Sequence, residues 1–406
     1  MAIIRAGAHD WASARDRVRA TFASPPAHQG HLPPFQGGWI GWFSYELGTA
    51  FDRITRHGNE PCPVPDIAIG LYDWVIAWDR HAGSAWLVST GIDATGAVDM
   101  LRARQRADSV LERWHAEPRA ESVVGSTSLP ARPRSDFEGA AYQAAVSRVI
   151  EYVLAGDLFQ ANLAQRFTAP FGGDPLALYQ NLRATSPAPM AAFVRRGDVS
   201  VVSASPERFL RLDMPSRRVE TRPIKGTRPR HPDPARDAEL AHALAASAKD
   251  RAENVMIVDL MRNDLSRACR AGSVQTPSLC ALESHPTVHH LVSTVTGELR
   301  AECDALDLLA TTLPGGSITG APKLRAMEII SELEPVARNV YSGSIGWIGL
   351  DGAMDTSIAI RTVTIANQLA SFHAGGGITA QSIPADEYQE SLDKAQALIA
   401  ALGATR

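Results

Sequence analysis

The chain has 406 residues, 45% of them hydrophobic and 21% charged, and a net charge of −4 at pH 7. That length suits two or three average domains, or one large α/β or α+β unit, and the weak negative charge gives no electrostatic reason to bind nucleic acid or an anionic membrane. The first residues, Met1-Ala2-Ile3-Ile4-Arg5-Ala6-Gly7, lack the apolar stretch of a secretion signal, and no run of about 18 apolar residues could span a bilayer, so a cytoplasmic protein is expected.

The first hundred residues read as β-rich. Residues 37–44 and 67–78 are apolar, aromatic and β-branched, broken by glycines and bounded by proline-rich stretches. Residues 97–117 read as a helix with Met100, Leu101, Val110 and Leu111 on its apolar side. Residues 118–134 mix Pro, Arg, Ser and Gly without periodicity and read as an exposed linker. The expected division is an N-terminal β-rich segment 1–117, the linker 118–134 and a larger region 135–406.

Ser135 and Glu138 have the spacing of a capping box. The helix expected to follow carries Val146, Val149, Ile150, Val153 and Leu154 as its stripe and stops at Gly156. Strands are expected at 192–194, 199–203 and 208–212, then a helix over 234–264 and a strand over 288–298. A helix over 321–334, strands over 341–350 and 357–366, and a helix over 385–402 complete the reading. Strands in meanders with helices between groups indicate an α+β fold.

Four cysteines (Cys62, Cys269, Cys280, Cys303) show no CxxC spacing, and none lies in a glycine-flanked elbow. Neither zinc, a disulfide framework nor a glutaminase nucleophile is signalled.

Only four of the forty Lys and Arg residues are lysines: Lys225, Lys249, Lys323 and Lys394. An ammonium can lose its proton when desolvated and act as nucleophile or base, whereas guanidinium cannot. Codon bias alone could also leave so few.

Lys225 lies 18 residues after Glu207, room for two strands and a turn at 213–217 that return both to one region of a sheet. A carboxyl and an amine so placed could serve as acid/base and nucleophile; a solvated cross-strand ion pair is the structural alternative. Gly226 would let a ligand or strand approach the backbone closely.

Asp250 and Glu253 are three apart on one expected helix, and Glu387 and Glu390 three apart on another, with Lys394 four residues further. Each pair projects from one helix face. If the helices face each other, four carboxylates converge into a site suited to Mg²⁺; simple surface decoration would give the same spacing.

The segment Gly315-Gly316-Ser317-Ile318-Thr319-Gly320-Ala321-Pro322-Lys323 fails as a phosphate loop, because Ala-Pro stands where Lys-Ser/Thr should follow Gly320. It could still cradle an anion at a helix start. Gly375, Gly376 and Gly377 end an expected strand and permit close contact with a ligand. Arg361, on the apolar strand 358–363, could present its guanidinium to a carboxylate or simply face outward. His290 is equally readable as a satisfied strand histidine.

Taken together and in this order, these strings resemble the chorismate-utilising enzymes. They are Gly-Asp-Leu-Phe-Gln-Ala-Asn at 156–162, Ser-Pro-Glu-Arg-Phe at 205–209, Pro-Ile-Lys-Gly-Thr at 223–227, Lys-Asp-Arg-Ala-Glu-Asn at 249–254, Asp-Leu-Met-Arg-Asn-Asp at 259–264 and Gly-Ser-Ile-Thr-Gly-Ala-Pro-Lys at 316–323. The resemblance is strong over 135–402 and extends to the aromatic N-terminal runs. Within the family, the anthranilate-forming branch carries Ala in Pro-Ile-Ala-Gly-Thr, where the branch that aminates C4 carries Lys.

The resemblance implies an α+β sandwich of two large antiparallel-rich sheets with helices outside, the N-terminal segment joining the second sheet. It implies amination of chorismate to 4-amino-4-deoxychorismate for p-aminobenzoate and folate synthesis, with a separate lyase to finish. Glu207 would be the acid/base and Lys225 a covalent nucleophile. Mg²⁺ would be held by Glu253 and Glu390, with Asp250 and Glu387 in support. Arg361 and Tyr341 would take the enolpyruvyl carboxylate, Gly375 to Gly377 the ring carboxylate, Gly226, Ser317 and His290 would lie around the ring, and Lys394 near the metal. Ammonia would come from a glutaminase subunit or free ammonium. The alternatives are an anthranilate-forming enzyme and a catalytically silent chorismate-binding subunit.

Overall fold

The computed structural model describes residues 2–22, 32–52, 54, 64–116 and 132–403; Cys62 and most of the expected linker lie outside the described residues. Two antiparallel sheets dominate. The larger runs, in spatial order, through β1 (Ile3–Ala6), β3 (Ile67–Tyr72), β2 (Gly38–Phe43), β16 (Ser344–Gly349), β17 (Met354–Ile358), β10 (Arg208–Asp213), β11 (Arg218–Thr221), β14 (Val288–Glu298) and β12 (Ile224–Pro229), with β13 (Gln275–Ser284) also on β14. The smaller runs through β15 (Gly320–Ala321), β7 (Gln160–Pro170), β19 (Leu369–Ile378), β18 (Thr362–Ala366), β9 (Val199–Ser205) and β8 (Met190–Arg196), with β6 (Arg134–Ser135) on β7. A hairpin of β4 (Trp74–Asp79) and β5 (Ser84–Ser89) stands apart.

The side-chain alternation explains the layering. In β3, Ile67, Ile69 and Leu71 join one core while Ala68 joins another. In β9, Val199 and Val201 face the core between the sheets, and Val202 and Ala204 face a different one. With a period of two, strands buried on both faces read as continuous apolar runs. Helices α1 (Trp11–Ala20), α6 (Ala248–Ser266) and α7 (Ala305–Thr312) cover the outer face of the larger sheet, and α4 (Pro175–Thr185) and α9 (Pro384–Ala401) that of the smaller. Helix α3 (Gly139–Leu154) and α8 (Lys323–Leu333) close the β7 end. Helix α2 (Met100–His115) lies against β5, and α5 (Pro234–Ala246) against β12, β13 and β14. The result is the α+β sandwich with helices outside. Strands β1 to β3 belong to the larger sheet, where β2 pairs with β16 from Gly38↔Gly349 to Phe43↔Ser344.

Several sequence expectations need correction. The helix expected over 234–264 is two, because Ser247 ends α5 and its hydroxyl then caps α6 by accepting from Asp250 N (3.3 Å). The strand expected over 357–366 is also two. β17 and β18 belong to different sheets, and Arg361 in the crossover has φ +50°. Ser135 is no helix cap: it sits in β6, its hydroxyl donating to Gln165 and accepting from Phe137 N, and α3 begins later, at Gly139. The three glycines lie within β19, which continues to Ile378.

Candidate active site

β10 and β11 form a hairpin in the register Arg211↔Glu220 to Asp213↔Arg218. β11 and β12 then run in line along one edge of β14, interrupted only at Arg222-Pro223. This course carries Lys225 back beside Glu207, which precedes β10 and receives a hydrogen bond from the Ile224 N–H. Both groups meet Ser317 of the glycine-rich loop. Lys225 Nζ donates to its carbonyl (3.2 Å), and its hydroxyl bonds the Glu207 carboxyl.

Glu207 is only 5% exposed. Burial raises its pKa to about 7, against the Ser317 hydroxyl, Lys225 and the Ile224 N–H, which pull it down. The Lys225 amine is pushed the other way, below its usual range. Burial is the main cause and Lys394 adds to it, while Glu253, Glu207 and Glu390 oppose. A carboxyl raised toward neutrality thus lies beside an amine whose pKa burial lowers, shifts in the directions that suit an acid and a nucleophile.

Gly226 forms a bulge between Lys225↔Leu291 and Thr227↔His290. Its φ is +80°, and a Cβ there would come within 2.9 Å of Asp250 and Leu244, so both conformation and space require glycine. The bulge packs β12 against the start of α6. Asn254 anchors that helix to β14 by donating to Leu291 O (3.2 Å).

Asp250 and Glu253 occupy the first turns of α6, and Glu387 and Glu390 those of α9. Gly376 brings β19 against the second pair: a Cβ there would lie 3.2 Å from Glu387 Oε2 and 3.5 Å from Glu390 Oε1. Burial raises Glu253, with Asp250 and Glu390 adding repulsion against Lys225 and Lys249. Burial also raises Glu387, opposed by the Ser382 hydroxyl (2.6 Å). Burial acts on Glu390 as well but is outweighed by Lys394, whose ammonium is 2.7 Å away, so Glu390 falls below its usual range. Asp250 already pairs with Arg228 (3.2 Å). Lys394 also donates to Gly375 O (2.9 Å).

Among the described residues, no three His, Cys, Asp or Glu stand close enough to hold a metal ion unaided. Mg²⁺ requires only one or two carboxylates besides water and substrate oxygens, and Glu253 with Glu390, mutually repelling across the site, fits that demand.

Arg361 is partly buried with no carboxylate paired to it among the described residues, and burial lowers its pKa. His290 is 2% exposed, bonds the Thr227 hydroxyl through Nδ1 (3.0 Å), and is held to about 4 by burial, with Arg361 adding to the effect. It is therefore a neutral ring near pH 7. Tyr341 is buried and stacks on His373 at 4.9 Å. In the glycine-rich loop, Lys323 pairs with buried Asp264 (2.5 Å) and donates to Thr312 O (2.9 Å).

The sequence reading missed three contributors. Gln160 is fully buried against Gly377, and neither amide atom finds a partner among the described residues; it stood in the string at 156–162 but carried no chemical mark of its own. Lys249 joins the field on Glu253, Glu387 and Glu390. Arg338 is 1% exposed and donates to Glu334 (2.5 and 2.8 Å), Ile318 O (2.8 Å) and Asn162 O (2.6 Å). A buried arginine has no sequence signal, since its type is usually exposed.

A family model described as chorismate binding enzyme matches residues 3–400, and the chain belongs to that family. It is 44% identical over 374 residues to aminodeoxychorismate synthase component 1 of Escherichia coli, covering 92% of this chain and 78% of that protein. It is 39% identical over 392 residues to anthranilate synthase component 1 of Thermus thermophilus, covering 96% and 83% respectively. Among solved structures it resembles anthranilate synthase component I from Streptococcus pneumoniae, with a TM-score of 0.83 and 32% identity over 95% of this chain and 85% of that one.

Proposed function

We propose that this chain aminates chorismate to 4-amino-4-deoxychorismate in the cytoplasm. The observation that carries the reading is the Glu207–Ser317–Lys225 cluster, in which burial raises the Glu207 carboxyl to about 7 and pushes the Lys225 amine below its usual range. Similarity to aminodeoxychorismate synthase component 1 supports it. Among the described residues, no helix is long and apolar enough to cross a membrane.

Glu207 donates its proton to the C4 oxygen of chorismate. Lys225 Nζ forms a bond to C2, the ring double bonds shift, and the C4–O bond breaks with loss of water. Ammonia then bonds to C4, the double bonds shift back, and the C2–Nζ bond breaks. Glu207, now a carboxylate, takes the surplus proton from the new amine. The net change is chorismate plus ammonia to aminodeoxychorismate plus water, with the enolpyruvyl group retained. Mg²⁺, held by Glu253 and Glu390 with Asp250 and Glu387 beside them, would neutralise the ring carboxylate. Arg361 and Tyr341 would take the other carboxylate, and Gly375 to Gly377 would lie beside the ring carboxylate.

The described chain shows no glutaminase nucleophile, and the relatives' designation as component 1 supports a second component that supplies ammonia. Intact-protein mass measurement with chorismate and Mg²⁺ but no ammonia tests the reading. Wild type is expected to gain chorismate less water, and Lys225→Ala to gain nothing. With ammonium added, a fluorescent anthranilate product would overturn the assignment.

A further inference from the structure

Ser284 closes β13, and His289 stands directly opposite it near the start of β14, across the turn at 285–288. Facing residues of an antiparallel ladder project from the same side. Here the Ser284 hydroxyl meets His289 Nδ1 at 2.8 Å, and His289 Nε2 meets Asp237 Oδ1 at 3.0 Å. Asp237 belongs to the first turn of α5, which lies against these strands. His290, the next residue, turns to the opposite face and bonds Thr227 instead.

Hydroxyl, imidazole and carboxylate thus form one hydrogen-bonded line. Its histidine is buried, whereas Ser284 is exposed. Arg230 Nε donates to both oxygens of Asp237 (3.0 Å each), Arg230 Nη2 lies 2.8 Å away, and the His231 N–H donates at 2.8 Å. These donors, Arg230 foremost, hold the Asp237 carboxyl well below the usual carboxylate range. A carboxylate only accepts, so it fixes the ring proton on Nε2 and leaves Nδ1 a lone pair aimed at the Ser284 O–H. A brace between hairpin and helix would use the same bonds, but it has no need of a hydroxyl open to solvent at the end of the line.

We propose that Ser284, His289 and Asp237 form a second reactive site, in which Ser284 accepts acyl groups from small activated phenyl esters. Ser284 Oγ bonds to the ester carbonyl carbon as its proton passes to His289 Nδ1. The bond from that carbon to the phenoxide breaks, and the phenoxide takes the proton. Water then bonds to the carbonyl carbon of the acyl-serine, its proton passes through Nδ1 to Ser284 Oγ, and the carboxylic acid leaves. The net change is ester plus water to acid plus phenol. With Ser284 exposed, water solvates the developing oxyanion, and loss of aimed donors slows acyl transfer about a hundredfold or more. Stoichiometric acylation with slow turnover is therefore expected.

The test treats the full chain with an ethoxy fluorophosphonate, whose phosphorus bonds to a reactive serine as fluoride leaves, and reads the labelled sites by peptide mass. Wild type is expected to take one phosphonyl group on Ser284 at least about a hundredfold faster than on Ser147, an exposed serine bonded only to Gln143 O. His289→Gln is expected to slow Ser284 to the Ser147 rate, and p-nitrophenyl acetate to leave an acetyl group on Ser284 of wild type. Labelling of Ser284 no faster than of Ser147 would overturn the site. So would a His289→Gln chain labelled as fast as wild type, which would make the histidine a brace. Should His289→Gln fail to fold, wild type in urea decides: taking the line apart is expected to remove the preference for Ser284, and a preference that survives would overturn the proposal. Chorismate takes no part, so the outcome is independent of the amination reading.

Discussion

At Glu207 and Lys225 the chemistry is set by desolvation, and its sign can be followed into pH dependence. Glu207 moves from 4.5 to about 7 on folding. Between those values the native state keeps a proton that the unfolded chain releases, so this group's contribution to stability falls as pH rises through that window. By pH 8 the penalty is about 3 kcal/mol. Glu207→Gln, uncharged and of the same shape, is expected to melt above wild type at pH 8 and level with it at pH 4, as thermal denaturation at the two pH values can show. In catalysis the same shift places the alkaline fall of adduct formation near pH 7, where Glu207 loses the proton it must donate. The acid-side fall reports Lys225 gaining one. A pH profile of adduct formation by mass measures both limbs. At Arg361, whose guanidinium has no carboxylate partner among the described residues and is proposed to take a substrate carboxylate, Arg361→Ala is expected to raise the chorismate KM more than about tenfold, with kcat less affected. Steady-state kinetics would show it.

Two elements hold these residues in place. The bulge at Gly226 lets β12 approach α6, and Gly226→Ala both strains a φ of +80° and drives a methyl into Asp250 and Leu244. A fall of at least about a hundredfold in kcat/KM is expected from the displaced Lys225, while Ser247→Ala is expected to cost only about 1 kcal/mol of stability through loss of the α6 cap. Denaturant titration and kinetics on the two variants separate positioning from folding. The break at Ser247 was not readable in sequence. Residues 234–264 are helix-compatible throughout, and a serine inside such a run serves as cap or as interior residue according to what packs around it. The period-two runs in β9, β14 and β16 were legible because both alternating faces meet a core. The division of 357–366 was not, since β17 and β18 share composition and differ only in which sheet receives them.

Over the whole molecule, chain order and spatial order diverge. β2 and β3 enter the larger sheet through β16, more than 300 residues away, and β18 leaves it for the other sheet directly after β17. The region 132–406 expressed alone would expose the unpaired edge of β16 and the apolar faces that Trp39 and Phe43 cover. It is expected to be insoluble, and co-expression with residues 1–116 to restore a soluble complex, as size-exclusion chromatography would show. By itself the amino-acid order determined which groups are available for reaction: one carboxyl and one scarce amine at hairpin spacing, two acidic pairs at helical spacing, and a run of strings that places the chain in its family. Only tertiary structure decided what those groups do. It buried Glu207 and Lys225 together, paired Asp250 with Arg228, Lys323 with Asp264 and Arg338 with Glu334, and left Arg361 without a carboxylate partner among the described residues. Proton affinity and hydrogen-bond satisfaction depend on how much water remains around an atom, and that is governed by segments far away along the chain.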